Sequence, residues 1–153
     1  MAARSTGPAF SRRSYRINGG LFSQELQMPQ KKVYRRILIV EDDPFVAFSQ
    51  KSILQAEGWT VIGPALNLRD AVDAAAGTAF DCAFLDVNLK GEFVTPVVDL
   101  LTDRGIPFTL VTAYSREALP KGLRRTKDII TKPFSADRLR SVATDMLLRK
   151  HGG

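Results

Sequence analysis

The chain has a single cysteine, Cys82, so no disulfide can form within it, and that usage fits a reducing compartment with the sulfur buried. Histidine is equally scarce. His151 is the only one and lies near the carboxyl end, where no chemical role is assigned to it. No apolar run approaches the roughly 20 residues needed to cross a bilayer. The amino terminus also lacks the apolar middle of a signal peptide. These absences lead us to expect no membrane insertion and a cytoplasmic location.

What is present fits one domain. A chain of 153 residues buries enough surface for an independent core, and its apolar, aromatic and charged fractions are ordinary. The net charge of +6 is unevenly spread. Residues 1–36 hold eight basic residues and one acid, Glu25, a net +7, whereas residues 37–153 hold 14 basic and 15 acidic residues, a net −1. Residues 1–34 are rich in Ser, Arg, Gly and Gln without a sustained apolar period. They read as a disordered basic extension, followed by a folded domain over 35–150.

The folded part alternates strands and helices. Arg36 to Val40 reads as a β-branched strand ending in Glu41-Asp42-Asp43, and Asp43 with Pro44 opens a helix whose apolar face is Phe45, Val46, Phe48, Ile53 and Leu54. Trp59 to Ile62 is a shorter strand closed by Gly63-Pro64. Asn67 caps a helix over Leu68 to Ala76. The run from Cys82 to Leu85 is apolar on both faces, too short for an ordinary helix, and stops on Asp86; it reads as a buried parallel strand. A helix from about Pro96 to Asp103, capped by Thr95, leads to a strand over Phe108 to Thr112. Pro120 and Gly122 interrupt the next connection, so any helix there is short or broken. Asp128 to Thr131 is the fifth strand, and Ser135 caps a last helix with a stripe of Leu139, Val142, Met146 and Leu147. The fold expected is α/β: a flavodoxin-like, doubly wound, five-stranded parallel sheet with helices on both faces and a weak fourth helix.

Parallel sheets put their chemistry beyond the carboxyl ends of the strands. Glu41 and Asp42, Asp86, Thr112 and Lys132 all fall at such ends. Three carboxylates in one crevice repel unless a cation compensates them, and Mg²⁺ suits oxygen ligands of this kind. An Asp beside Mg²⁺ and a Lys is equipped for phosphoryl transfer. Ile-Leu-Ile-Val-Glu-Asp-Asp-Pro, Phe-Leu-Asp-Val-Asn-Leu, Leu-Val-Thr-Ala and Thr-Lys-Pro-Phe, in this order, resemble the receiver domain of two-component response regulators over about residues 36–149. The resemblance implies that Asp86 is the phosphoacceptor, served by a histidine kinase or a histidine phosphotransfer protein. It implies that Glu41, Asp42 and Asp86 hold Mg²⁺ with the backbone carbonyl of Asn88. It further implies that Thr112 is the switch hydroxyl and Lys132 the charge-balancing lysine, whose bond to Pro133 is a candidate cis peptide.

The chain departs from the family where an aromatic usually stands three residues before the lysine; here it is Ile129. Pro107 to Tyr114 partly matches a subgroup reading Pro-Phe-x-Phe-Ala-Thr-Gly-Tyr, which makes Tyr114 a candidate for the aromatic's role. Since little follows the last helix, we expect a stand-alone receiver that docks a partner or relays phosphoryl groups, rather than a turnover enzyme. A phosphorylation-independent binding module of the same fold is the main rival. A haloacid-dehalogenase-like phosphatase requires Asp-x-Asp, but Asn88 occupies the third place. Nucleic-acid binding through the basic tail finds neither a helix-turn-helix nor stacking aromatics.

Overall fold

The computed structural model describes residues 15–17, 20–22 and 35–151. The chain divides into two units, Met1–Val33 and Tyr34–Gly153. In the first, Tyr15–Ile17 and Gly20–Phe22 pair as antiparallel strands, Tyr15 opposite Phe22. These strands fall within the stretch expected to be an extension without regular structure. The rest of that extension lies outside the described residues.

The second unit is built on strands β1 (Arg36–Val40), β2 (Thr60–Ala65), β3 (Cys82–Asp86), β4 (Phe108–Thr112) and β5 (Ile129–Thr131). They form one parallel sheet in the order β2-β1-β3-β4-β5. The α-helices are α1 (Pro44–Ala56), α2 (Leu68–Gly77), α3 (Thr95–Asp103) and α4 (Ala136–His151). Because side chains alternate along a strand, each strand feeds two cores. Leu38, Val40, Ala83, Leu85 and Leu110 pack with Ala71 and Ala75 of α2 and Val97 and Leu101 of α3. Ile37, Ile39, Cys82, Phe84 and Val111 pack with Leu54 of α1 and Leu139, Ala143 and Met146 of α4. A sheet buried on both faces explains why its strands read as continuous apolar runs.

Strand order reverses direction between β1 and β3, which opens a crevice at their carboxyl ends. Register closes it: Val40 pairs with Leu85, Asp86 with Val111 and Thr112 with Thr131. The residues just after these positions therefore share one edge.

Three local readings need correction. Phe45 and Phe48 are exposed, 87% and 71%, and the buried face of α1 is instead Ala47, Gln50 and Leu54. The hydrophobic period of that helix admits both phases, and the small Ala47 lets α1 approach the sheet more closely than a phenylalanine would. β2 runs on through Gly63-Pro64 to Ala65; at the sheet edge a proline deprives no neighbour of a hydrogen bond. Gly63 has φ 87°, and a Cβ there would meet the Ala65 nitrogen at 2.7 Å. α3 begins at Thr95 after Val94, with no side-chain cap. Between β4 and β5 the chain makes only two single-turn 3₁₀ helices, Arg116–Ala118 and Lys121–Leu123, as Pro120 and Gly122 foretell. Elsewhere the caps are those expected: Asp43 accepts from Phe45 N–H, Asn67 from Asp70 N–H and Ser135 from Arg138 N–H.

Candidate functional site

Four of the sequence-derived residues meet at the β1/β3 crevice. Glu41 follows β1 directly and is fully buried, its N–H donating to Ala65 O at 3.0 Å. Its Oε1 accepts from Asp43 N–H at 3.2 Å, and its Oε2 accepts from Lys132 Nζ at 2.8 Å. The same Nζ lies 3.5 Å from Asp86 Oδ2. Asp86 closes β3 with 9% of its surface exposed. One carboxylate oxygen from each of Glu41, Asp42 and Asp86 falls within 4.8 Å of the others. The Lys132–Pro133 peptide is cis, and Lys132 N–H donates to Thr112 O at 2.9 Å, which ties the lysine to β4.

Three carboxylates face one ammonium here, and the protonation of the group reflects the imbalance. Burial, then the charge of Glu41, push the Asp86 carboxyl up to about 7 against the pull of Lys132. Burial also pushes Asp42 up, but hydrogen bonds from the Asp86 carboxyl and from Lys90 N–H outweigh it and hold Asp42 below the usual carboxylate range. For Lys132, burial works toward the neutral amine, yet the Glu41 hydrogen bond and the charges of Asp86 and Glu41 prevail and raise it. An all-oxygen set with more negative charge than its lysine can balance fits a hard divalent cation.

Thr112 and Asn88 stand one step from this cluster. Thr112 is buried, and its Oγ1 accepts from Tyr114 N–H at 3.0 Å. Asn88 belongs to a feature that the sequence reading missed, a small hairpin of Asn88–Leu89 and Glu92–Phe93. At its tip Lys90 and Gly91 both have positive φ, 53° and 91°, the requirement of a two-residue hairpin turn. Gly91 N–H donates to Asn88 Oδ1 at 2.7 Å, and Lys90 N–H to Asp42 Oδ2 at 3.0 Å. Lys90-Gly91 between two short apolar stretches was the available signal. Asn88 Nδ2 also reaches Tyr114 Oη at 3.4 Å, so Tyr114 touches the site from both sides, through Thr112 and through Asn88.

In sequence and fold the chain is similar to known proteins. The model of the response regulator receiver domain family matches residues 37–144. Among curated proteins the chain is 27% identical over 106 residues to the transcriptional regulatory protein PdtaR of Mycobacterium tuberculosis, covering 67% of this chain and 52% of that protein. It is 29% identical over 114 residues to the phyllosphere-induced regulator PhyR of Methylorubrum extorquens, covering 72% and 43%. The chain thus spans about half the length of the curated relatives it matches. Among solved structures, SdrG from Sphingomonas melonis is 32% identical with a TM-score of 0.65, covering 74% of this chain and 97% of that one. A CheY-like receiver domain from Methanospirillum hungatei has a TM-score of 0.69 at 24% identity, covering 78% and 98%, and speaks to the fold alone.

Proposed function

Because this chain belongs to the response regulator receiver domain family, we propose that its Asp86 accepts a phosphoryl group from the phosphohistidine of a histidine kinase or a histidine phosphotransfer protein. The observation that carries this reading is the placement of Asp86 beside Lys132, at 3.5 Å, within the Glu41/Asp42 cluster. An Asp86 oxygen forms the new P–O bond while the P–N bond to the donor imidazole breaks, its electron pair staying on the ring nitrogen. Asp86 must be ionised to attack, and with its carboxyl raised to about 7 it holds a proton for part of the time. Glu41, Asp42 and Asp86, with the carbonyl of Asn88, would hold Mg²⁺, which supplies positive charge to the transferring phosphoryl group and favours the ionised carboxylate. Lys132 keeps its proton and balances the remaining charge. Each transfer modifies Asp86 itself, so we read the chain as a signalling receiver rather than an enzyme.

Phe45 and Phe48, exposed in the first turns of α1 just beyond Asp43, offer the phosphodonor an apolar footing beside the pocket. On the output side, Ile129 packs into the core and has no ring to rotate. Tyr114, bonded to Thr112 Oγ1 and to Asn88, takes the aromatic's signalling role in this reading.

The test is acetyl-phosphate labelling with and without Mg²⁺, read by intact mass, for wild type and Asp86→Asn. Labelling that requires Mg²⁺ and is lost in the variant is the expected result. Ile129 is also what a phosphorylation-independent binding module of this fold would carry. Absence of labelling by acetyl phosphate and by a panel of histidine kinases would establish that reading instead.

A further inference from the structure

Of the three carboxylates at the crevice, Lys132 holds two. Glu41 Oε2 lies 2.8 Å and Asp86 Oδ2 3.5 Å from its Nζ, whereas Asp42 makes no ion pair among the described residues. Asp42 Oδ2 accepts instead from a main-chain donor, Lys90 N–H, at 3.0 Å and from 48 residues along the chain. That donor sits at the tip of the Asn88–Leu89/Glu92–Phe93 hairpin. The base of the hairpin is buried at Val87, Leu89 and Val94 and closed by Val94 N–H donating to Val87 O at 2.9 Å. Its tip is exposed, yet conformationally demanding. Lys90, with φ 53°, is the one non-glycine residue of positive φ among the described residues. Such a backbone persists only where its surroundings over-determine it, and here the turn aims one N–H at one carboxylate.

We propose that the Lys90 N–H is a positioning group for the cation site: it fixes the Asp42 carboxylate before a divalent ion arrives, so that the hairpin turn and the ion stabilise each other. This role rests on the receiver reading above, in which Glu41, Asp42 and Asp86 hold Mg²⁺. Three carboxylates without an ion repel one another, and Asp42, half-buried and not held by Lys132, is the one most able to swing outward. A second ammonium could hold it too, but would cancel the charge that attracts the ion. An amide dipole fixes the rotation of the carboxylate and leaves its charge in place. The Lys90 ammonium plays no such part, for the side chain is exposed and forms no ion pair among the described residues. A partner that orients a metal ligand from outside typically raises metal affinity by roughly 10- to 100-fold. The coupling is reciprocal: the factor by which the bond favours the ion is the factor by which the ion favours the bond.

The experiment uses the full chain and Mg²⁺ alone, without a phosphodonor, with affinity read by isothermal titration calorimetry and exchange of single amides read by NMR. Replacing the Leu89–Lys90 amide by an ester, with the α-hydroxy analogue of lysine at position 90, deletes the N–H and keeps the side chain. Mg²⁺ binding is then expected to weaken about tenfold. Lys90→Asn and Lys90→Val carry the same charge and differ in their tolerance of positive φ, so Lys90→Asn is expected to bind Mg²⁺ about fivefold more tightly than Lys90→Val. In wild type, saturating Mg²⁺ is expected to slow exchange of the Lys90 amide by about the factor that the ester form loses in affinity. The exposed Gly58 N–H, which donates to Gln55 O at the far end of α1, should be unaffected. A turn that served folding alone would lower stability in chelator and leave Mg²⁺ affinity as it is. An ester form that binds Mg²⁺ as wild type does overturns the proposal. So does faster exchange of the Lys90 amide in Mg²⁺, which would mean that ion and N–H compete for Asp42. A wild type that binds no Mg²⁺ overturns the metal reading together with this one; a wild type that binds beside variants that bind equally well overturns this one alone.

Discussion

The acidic crevice and the β4–β5 segment, which starts at the crevice edge of the sheet and ends at the amino end of β5, treat charge in opposite ways. The crevice buries Glu41 completely and Asp86 almost so, then offers three carboxylates a single ammonium, Lys132. The segment buries only apolar anchors, Leu119 and Leu123, and keeps its lysines and arginines outside. Burying charge makes stability hostage to protonation and to cations; exposing it leaves stability to packing and frees the charge for recognition. The largest expected effect follows from the first half of that contrast. Lys132→Ala leaves Glu41 buried without its cation and should lower metal-free stability by about 3–5 kcal/mol. Denaturant unfolding in chelator measures the loss, which millimolar Mg²⁺ should partly restore by binding the folded state alone. A loss below 1 kcal/mol would erase the contrast.

On the other side, the segment should depend on its leucines. Leu123→Ala removes a fully buried side chain and should cost about 2–4 kcal/mol, with Mg²⁺ giving the variant the same increment as it gives wild type. An increment that shrinks would mean that the two regions are coupled.

Protonation sharpens the comparison further. The folded protein raises the Asp86 carboxyl from 3.8 to about 7, so between those values it holds a proton that the unfolded chain has released. Stability on this account is fully present below the unfolded value and is lost as pH rises through about 7. Asp86→Asn keeps the neutral form at every pH. In chelator, the stability advantage of Asp86→Asn over wild type should therefore grow between pH 5 and 8, by about 2 kcal/mol after allowance for solvent screening. A constant difference across that range would sink this account of the pocket.

The same contrast explains what could be read from sequence. The five strands and the acidic residues at their ends are legible because a strand buried on both faces admits almost no polar residue. Polar residues at the edge of Ile37 to Val40 and Cys82 to Leu85 therefore announce the site. Burial on a helix is harder to read. In α1 the apolar residues outnumber the places on the inner face, and composition alone cannot say that Ala47 faces in while Phe45 and Phe48 face out. Residues that act through the backbone left still less trace: nothing in the identity of Lys90 tells that its N–H meets Asp42, because any residue that tolerates the turn would supply the same donor.

The smallest effect tests how the segment keeps its shape without a regular helix. Two 3₁₀ turns satisfy few of their own carbonyls, and Arg116 and Arg124 fill the gap at Leu119, Arg124 and Thr126. These carbonyls lie near solvent, so water can replace a lost guanidinium. Arg116→Ala should then cost only about 1 kcal/mol globally. Locally it should do more, since Arg116 ties the first turn to Arg124 and Thr126 near the end of the segment. Amide exchange over residues 116–127 should accelerate several-fold while β1 and β3 stay protected, because the two carbonyl bonds that are lost lie within this stretch. Lysine at position 116 keeps the charge but lacks the fork that reaches two carbonyls, so Arg116→Lys should exchange nearly as fast as Arg116→Ala. Equal protection in Arg116→Lys and wild type would mean that charge, and not the two carbonyl bonds, holds the segment.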